Sequence, residues 1–159
     1  HLQGELFKSM AGINIVRVPY KGSAPTLIGL FSGEVQLVID GIADLGRYVK
    51  PGKLKALAVT SLEPSAQFPG LPTVAASGLP GFEAAQLAGM WAPAKTPDAI
   101  IRRLNQEVVR ALNQPDVKEK LFSTGGEAGG GSPEEFAGRI KSDIARWSKV
   151  IQEAGIKAD

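Results

Sequence analysis

The sequence predicts an α/β fold built on mostly parallel sheets, and three features of its 159 residues carry that expectation. The first sixty residues alternate helix and strand patterns three times, the rhythm of right-handed crossovers. The strand-like runs are nearly continuous in apolar residues, as when helices cover both faces of a sheet. Beyond a proline-rich connection the chain turns helical, so two regions of different character follow one another.

Residues 2–11 read as a helix: Leu2, Leu6 and Met10 fall four apart on one face, and Gly12 stops the run. Ile13 to Val18 is a β-branched, strand-like segment, broken by Pro19-Tyr20-Lys21-Gly22-Ser23. A helix from about Ala24 to Ser32 closes at Gly33. Val35 to Ile39 forms a short apolar strand ending at Asp40-Gly41, and a third helix runs to about Val49, where Pro51-Gly52 ends it. Leu54 to Thr60 is a further buried-type strand.

Residues 62–83 carry Pro64, Pro69, Pro72 and Pro80, an irregular connection with room for one short helix at 73–77. Residues 84–92 read as extended. Thr96 is placed to cap a helix and Pro97 to open it, with Ile101, Leu104, Val108 and Leu112 as its apolar stripe. A short helix is expected from Pro115 to before Gly125. Ser132-Pro133-Glu134-Glu135 is a capping box, in which the serine oxygen takes the Glu135 amide and the glutamate reaches back. The final helix bears Phe136, Ile140, Ile144, Trp147 and Ile151 on one face, and both Trp91 and Trp147 read as core.

Composition excludes several classes of function. Hydrophobic residues are 43% and charged residues 21%, the balance of a globular protein. No apolar run approaches the roughly 18 residues of a membrane helix. A net charge of +2, with cations and anions interleaved, gives no footprint for nucleic acid. With no cysteine there is no disulfide and no thiolate chemistry, and His1 is the only histidine. No serine sits in a nucleophile elbow. The residues call for no cofactor, no metal and no catalytic set. The glycine run from Gly125 to Gly131 lacks the preceding strand and the lysine of a phosphate loop, and reads as a connection between helices.

Two junctions carry more chemistry. At Tyr20-Lys21-Gly22-Ser23 a strand ends and a helix begins, so free amides and the positive helix end face the space beyond the strand, where an anion can sit. The alternative is a turn with Ser23 as a helix cap. Asp40-Gly41 repeats this arrangement: Asp40 either caps the next helix or accepts a hydrogen bond from a ligand, and the two roles are compatible. Tyr20 either joins the site or simply packs.

The stretches His1-Leu2-Gln3-Gly4-Glu5-Leu6-Phe7-Lys8, Val18-Pro19-Tyr20-Lys21-Gly22-Ser23-Ala24-Pro25 and Leu54-Lys55-Ala56-Leu57-Ala58-Val59-Thr60-Ser61 occur in order. Leu71-Pro72-Thr73-Val74 with Gly78-Leu79-Pro80-Gly81, and Ala92-Pro93-Ala94-Lys95-Thr96-Pro97, complete the series. In these the chain resembles the Bug family, the TctC-like substrate-binding proteins of tripartite tricarboxylate transporters. Lys95 departs from the family's usual glycine.

The resemblance implies a periplasmic-binding-protein-like two-lobed fold, here incomplete, with the N-terminal half absent. Residues 1–88 would form the second lobe without its first strand, and residues 89–159 a crossover and the helical part of the first lobe. It implies a periplasmic solute-binding protein rather than an enzyme, and a small carboxylate as ligand (di- or tricarboxylate, acidic amino acid or aromatic acid). Membrane transporter subunits would be its partners. His1, Tyr20, Lys21, Gly22, Ser23, Asp40 and Gly41 are the expected ligand-binding residues, with His1 at a helix start that faces the cleft in the family. The competing readings are a ligand sensor for a signalling partner, and an α/β enzyme whose catalytic residues lie in the absent half. A chain opening on His1, with uncovered apolar stripes, is further expected to be a fragment that self-associates and binds its acid weakly.

Overall fold

The structure, a computed structural model, describes residues 1–156. Six helices form among them: α1 (Leu2–Ala11), α2 (Ser23–Ser32), α3 (Ile42–Val49), α4 (Asp98–Leu112), α5 (Pro115–Ser123) and α6 (Pro133–Glu153). Each begins within about two residues of the sequence expectation, because a helix meets its hydrogen bonds from its own neighbours. Gly12 and Gly33 close α1 and α2. The expected capping box opens α6: the Ser132 amide donates to Glu135 Oε2 at 2.7 Å, and the Glu135 amide to Ser132 Oγ at 3.1 Å. Thr96, by contrast, caps nothing. The N-cap of α4 is Pro97, whose carbonyl accepts from Ile100 and Ile101.

The expected strands do not form a sheet. Among the described residues the one β-feature is an isolated parallel bridge between Val59 and Thr73. Segments 13–18, 35–39 and 84–92 have no ladder, and several of their apolar residues stand exposed, Val16 at 87% and Met90 at 66%. A strand exists only against a neighbour that takes its amides and carbonyls, and these segments do not supply one another. The short helix expected at 73–77 is a hydrogen-bonded turn, with Ser77 donating to Thr73 and Val74 and the Thr73 hydroxyl taking the Ala76 amide.

The chain divides into two compact units, His1–Ala85 joined by residues 154–156, and Gln86–Glu153. In the first, Val59 receives the Val74 amide and donates to Pro72, while Ala84 donates to Thr60, so three irregular segments knit around Val59. Phe82 is fully buried there and meets Phe7 of α1 edge-on at 6.0 Å. That burial is worth about 1.5–3 kcal/mol. Gln3 donates to the Ala84 carbonyl, tying α1 to the same centre. Leu27 and Gly29 are the buried residues of α2.

In the second unit Asn105 of α4 donates to the Gly131 carbonyl at 2.8 Å, and Gly130 lies against Val109, so the glycine-rich connection folds along α4. Trp91 is not core. It is 70% exposed, resting one face on Phe136 at 5.3 Å. Trp147 is half-buried, with the Arg146 guanidinium 4.9 Å from its ring. Only Val150 of α6 is buried, whereas Ile144 is 62% exposed. Of the apolar stripe read from periodicity, Phe136, Ile140 and Trp147 are half-buried, while Ile144 and Ile151 stand exposed.

Candidate functional site

Two helix starts meet in the first unit. The chain enters α2 through Gly22, whose φ of 97° and ψ of 175° belong to a region open essentially to glycine alone. It enters α3 through Gly41 in an extended conformation. Ser23 Oγ donates to Asp44 Oδ2 at 3.3 Å, linking the first residue of α2 to the first turn of α3. The junctions at 20–23 and 40–41, separate in sequence, are thereby brought to one place.

Neither junction is capped as expected. Ser23 stands inside α2, one residue past the N-cap Gly22, and its hydroxyl turns to Asp44. The Asp40 carboxylate accepts from the Gly41 amide at 2.8 Å, one residue too early to meet the first-turn donors of α3. Side chains one position off register cannot reach the second and third amides of their helix. The opening amides of both helices, those of Ser23, Ala24, Ile42 and Ala43, consequently keep the outward orientation that makes a helix start attractive to anions. Pro25 has no amide to offer.

Charge at this place is mixed. Asp44 brings a carboxylate to the start of α3, which stabilises that helix through its dipole and opposes a second anion. Lys21, exposed on the turn, is a cation two residues before Ser23. Tyr20 packs its ring tip on α2 at Gly29, where a Cβ would lie 2.2 Å from the hydroxyl. That hydroxyl is enclosed and makes no hydrogen bond. Desolvation, together with the nearby Glu34 carboxylate, raises its pKa above the ordinary tyrosine value.

His1 is the N-cap of α1, exposed, with its Nε2 2.9 Å from Arg17 Nη1. Because a guanidinium only donates, Nε2 accepts and the neutral ring carries its proton on Nδ1. No hydrogen bond joins His1 to the Ser23–Asp44 pair among the described residues. Two interactions escaped the sequence reading, that of Asp44 with Ser23 and that of Arg17 with His1. The first had a signal, an acid three residues beyond a glycine at a helix start. Arg17 had none, since its partner is sixteen residues away.

The described residues contain no group of three acids and histidines able to hold a metal, and no helix long and apolar enough to cross a membrane. The arrangement offers two sets of backbone donors and one lysine, which is equipment for holding an anion.

The chain is 39% identical over 160 residues to a UPF0065 protein of the tcbD-tcbE intergenic region of Pseudomonas sp., covering all of this chain and 48% of that relative. A UPF0065 protein of the clcB-clcD intergenic region of Pseudomonas knackmussii is 34% identical over 95% of this chain and 90% of its own length. Among solved structures, Rpa4515 of R. palustris with adipate matches with a TM-score of 0.84 at 42% identity, over 98% of this chain and 52% of that one. The periplasmic binding protein BugD gives 0.79 at 32% identity, covering 100% and 54%. MatC of Rhodopseudomonas palustris with bound malate gives 0.74 at 31%, covering 94% and 52%. The chain thus spans about half the length of these solved relatives. Residues 1–156 match the family model described as the tripartite tricarboxylate transporter family receptor, TctC, and this chain belongs to that family.

Proposed function

We propose that this chain is part of a periplasmic solute-binding protein that captures a small carboxylate for a tripartite tricarboxylate-type transporter. The observation that carries the reading is the meeting of two helix starts at the Ser23–Asp44 pair, with Lys21 two residues before Ser23. Outward amides from two helices form a donor set suited to the planar, two-oxygen geometry of a carboxylate. Relatives solved with adipate and with malate support a dicarboxylate as the ligand class. In this reading residues 1–88 belong to one lobe and residues 89–159 cross to the other. Gly22 and Ser23 supply backbone contacts, Lys21 supplies charge, Asp40 and Gly41 order the second junction, His1 borders the site, and Tyr20, packed on α2, supports the first junction. The chemistry in this reading is binding.

An amide-resolved NMR titration of the 15N-labelled chain with adipate and malate, against chloride at equal ionic strength, tests the proposal. Saturable shifts of the Ser23, Ala24, Ile42 and Ala43 amides are expected. Shifts elsewhere, or none up to concentrations of tens of millimolar, overturn it.

A further inference from the structure

Gly29 sits in the second half of α2, and the segments on either side of the helix, at Tyr20 and Val35, converge on it. The Tyr20 ring lies over its Cα, so close that a Cβ there would be 2.2 Å from the hydroxyl and 2.8 Å from Cζ. Its carbonyl accepts from the Ser32 hydroxyl at 3.1 Å and from the Val35 amide at 3.2 Å. Tyr20 is two residues from Gly22, and Val35 opens the segment that leads to Asp40-Gly41. One buried glycine therefore anchors the approach to both junctions.

The direction of the Tyr20 side chain bears on its role. Gly29 lies six residues along α2 from Ser23, about 9 Å at 1.5 Å per residue. The hydroxyl thus ends well away from the opening amides of α2, enclosed by protein and unbonded. A phenol so placed does not reach an anion held at Ser23. Its aromatic body instead fixes one end of the Tyr20–Ser23 turn while α2 fixes the other, holding Gly22 in the conformation its φ of 97° requires.

We infer that Tyr20 and Gly29 form a positioning pair, in which the ring seated on the bare glycine backbone sets the Gly22–Ser23 amides without touching ligand. This rests on the carboxylate-binding reading, and it predicts a specific order among variants. Removing the hydroxyl should be harmless, removing the ring or filling its seat should not, and the two disruptive changes should not add.

The experiment follows the Gly22 and Ser23 amide resonances of the full 159-residue chain, free and with adipate. Tyr20→Phe should leave both resonances near their wild-type positions and adipate affinity within about twofold. Tyr20→Leu and Gly29→Ala should each move both resonances and weaken adipate at least tenfold, in samples that circular dichroism shows to be folded. Gly29→Ala made in the Tyr20→Leu background should add little, since the side chain that it would strike is gone. Wild-type Gly22 and Ser23 resonances in folded Tyr20→Leu overturn the inference, and so does a tenfold loss of affinity in Tyr20→Phe. If wild-type protein ignores adipate, the carboxylate reading falls alone, and the amide resonances still decide the positioning role. Should Tyr20→Leu fail to fold, Gly29→Ala decides alone: wild-type Gly22 and Ser23 resonances in folded Gly29→Ala overturn the inference.

Discussion

Ser23 Oγ and Asp44 Oδ2 stand 3.3 Å apart, twenty-one residues distant in sequence, and they tie the start of α2 to the start of α3. A hydroxyl donating to a carboxylate contributes about 1.5–3 kcal/mol when sheltered, and less here because both groups are partly open to water. Asp44 also lies in the first turn of α3, where a carboxylate adds about 0.3–1 kcal/mol through the helix dipole. Asp44→Ala is expected to lower stability by about 1 kcal/mol in urea unfolding. Combined with Ser23→Ala, the two losses should fall short of their sum by a few tenths of a kcal/mol or more. Asp44→Asn removes a like charge from the candidate site, so adipate affinity should rise; a fall would mean that the carboxylate organises the site more than it repels.

Gly22 occupies a backbone region that side chains reach only at a cost of about 1–3 kcal/mol. Nothing lies within 4 Å of where its Cβ would be, so the penalty is conformational rather than steric. Gly22→Val should relieve that strain by reshaping the turn. Adipate binding should then fall by more than the loss measured in thermal unfolding accounts for. Unchanged affinity in a titration removes the turn from the site.

The Ser132–Glu135 box gives a pH signature. Amide and hydroxyl bonds from Ser132 hold the Glu135 carboxyl below its ordinary value of 4.5. A depressed folded pKa means stability that is complete above the ordinary value and lost as pH falls through the folded one. The opening turn of α6 should therefore loosen below about pH 4.5, and Glu135→Gln should flatten that limb of the stability profile. Ser132→Ala should cost about 0.5–2 kcal/mol at neutral pH. An acid limb that is identical in Glu135→Gln and wild type assigns it to other carboxylates.

Gly89 is the seat of Phe136, with a Cβ there falling 2.1 Å from the ring. Gly89→Ala should expel the ring and break its 5.3 Å packing with Trp91. Near-ultraviolet circular dichroism should lose the signal of that aromatic pair while the helical far-ultraviolet signal persists. A spectrum unchanged in both regions refutes the packing.

Trp91, Phe136, Ile140 and Ile144 line an apolar hollow of about 320 Å³ with Lys141 at its edge. With Trp91 and Ile144 exposed at 70% and 62%, this face is expected to drive self-association. Light scattering of the isolated chain should give a mass above 16.7 kDa that falls toward it in Ile144→Glu. A monomer at tens of micromolar in the unsubstituted chain refutes this.

The helices were legible in the sequence by itself, in some cases to the residue. Gly12 and Gly33 end α1 and α2, and the serine and glutamate of the capping box begin α6, because each of these signals acts within four residues of its partner. The two helix-start junctions were legible for the same reason, as local breaks between apolar runs. Family membership was legible too, since ordered short motifs are properties of the string. What tertiary structure decided is everything that depends on a distant partner. The segments 13–18, 35–39 and 84–92 have the composition of strands, yet a strand is stabilised across its edge, and no ladder forms for them among the described residues. Trp91 looks like core by its apolar neighbours but is covered on one face only, because burial depends on what arrives from elsewhere in the chain. The same holds at the site. Ser23 has the composition of a cap, and only the arrival of α3 turned its hydroxyl toward Asp44 and brought the two helix starts together.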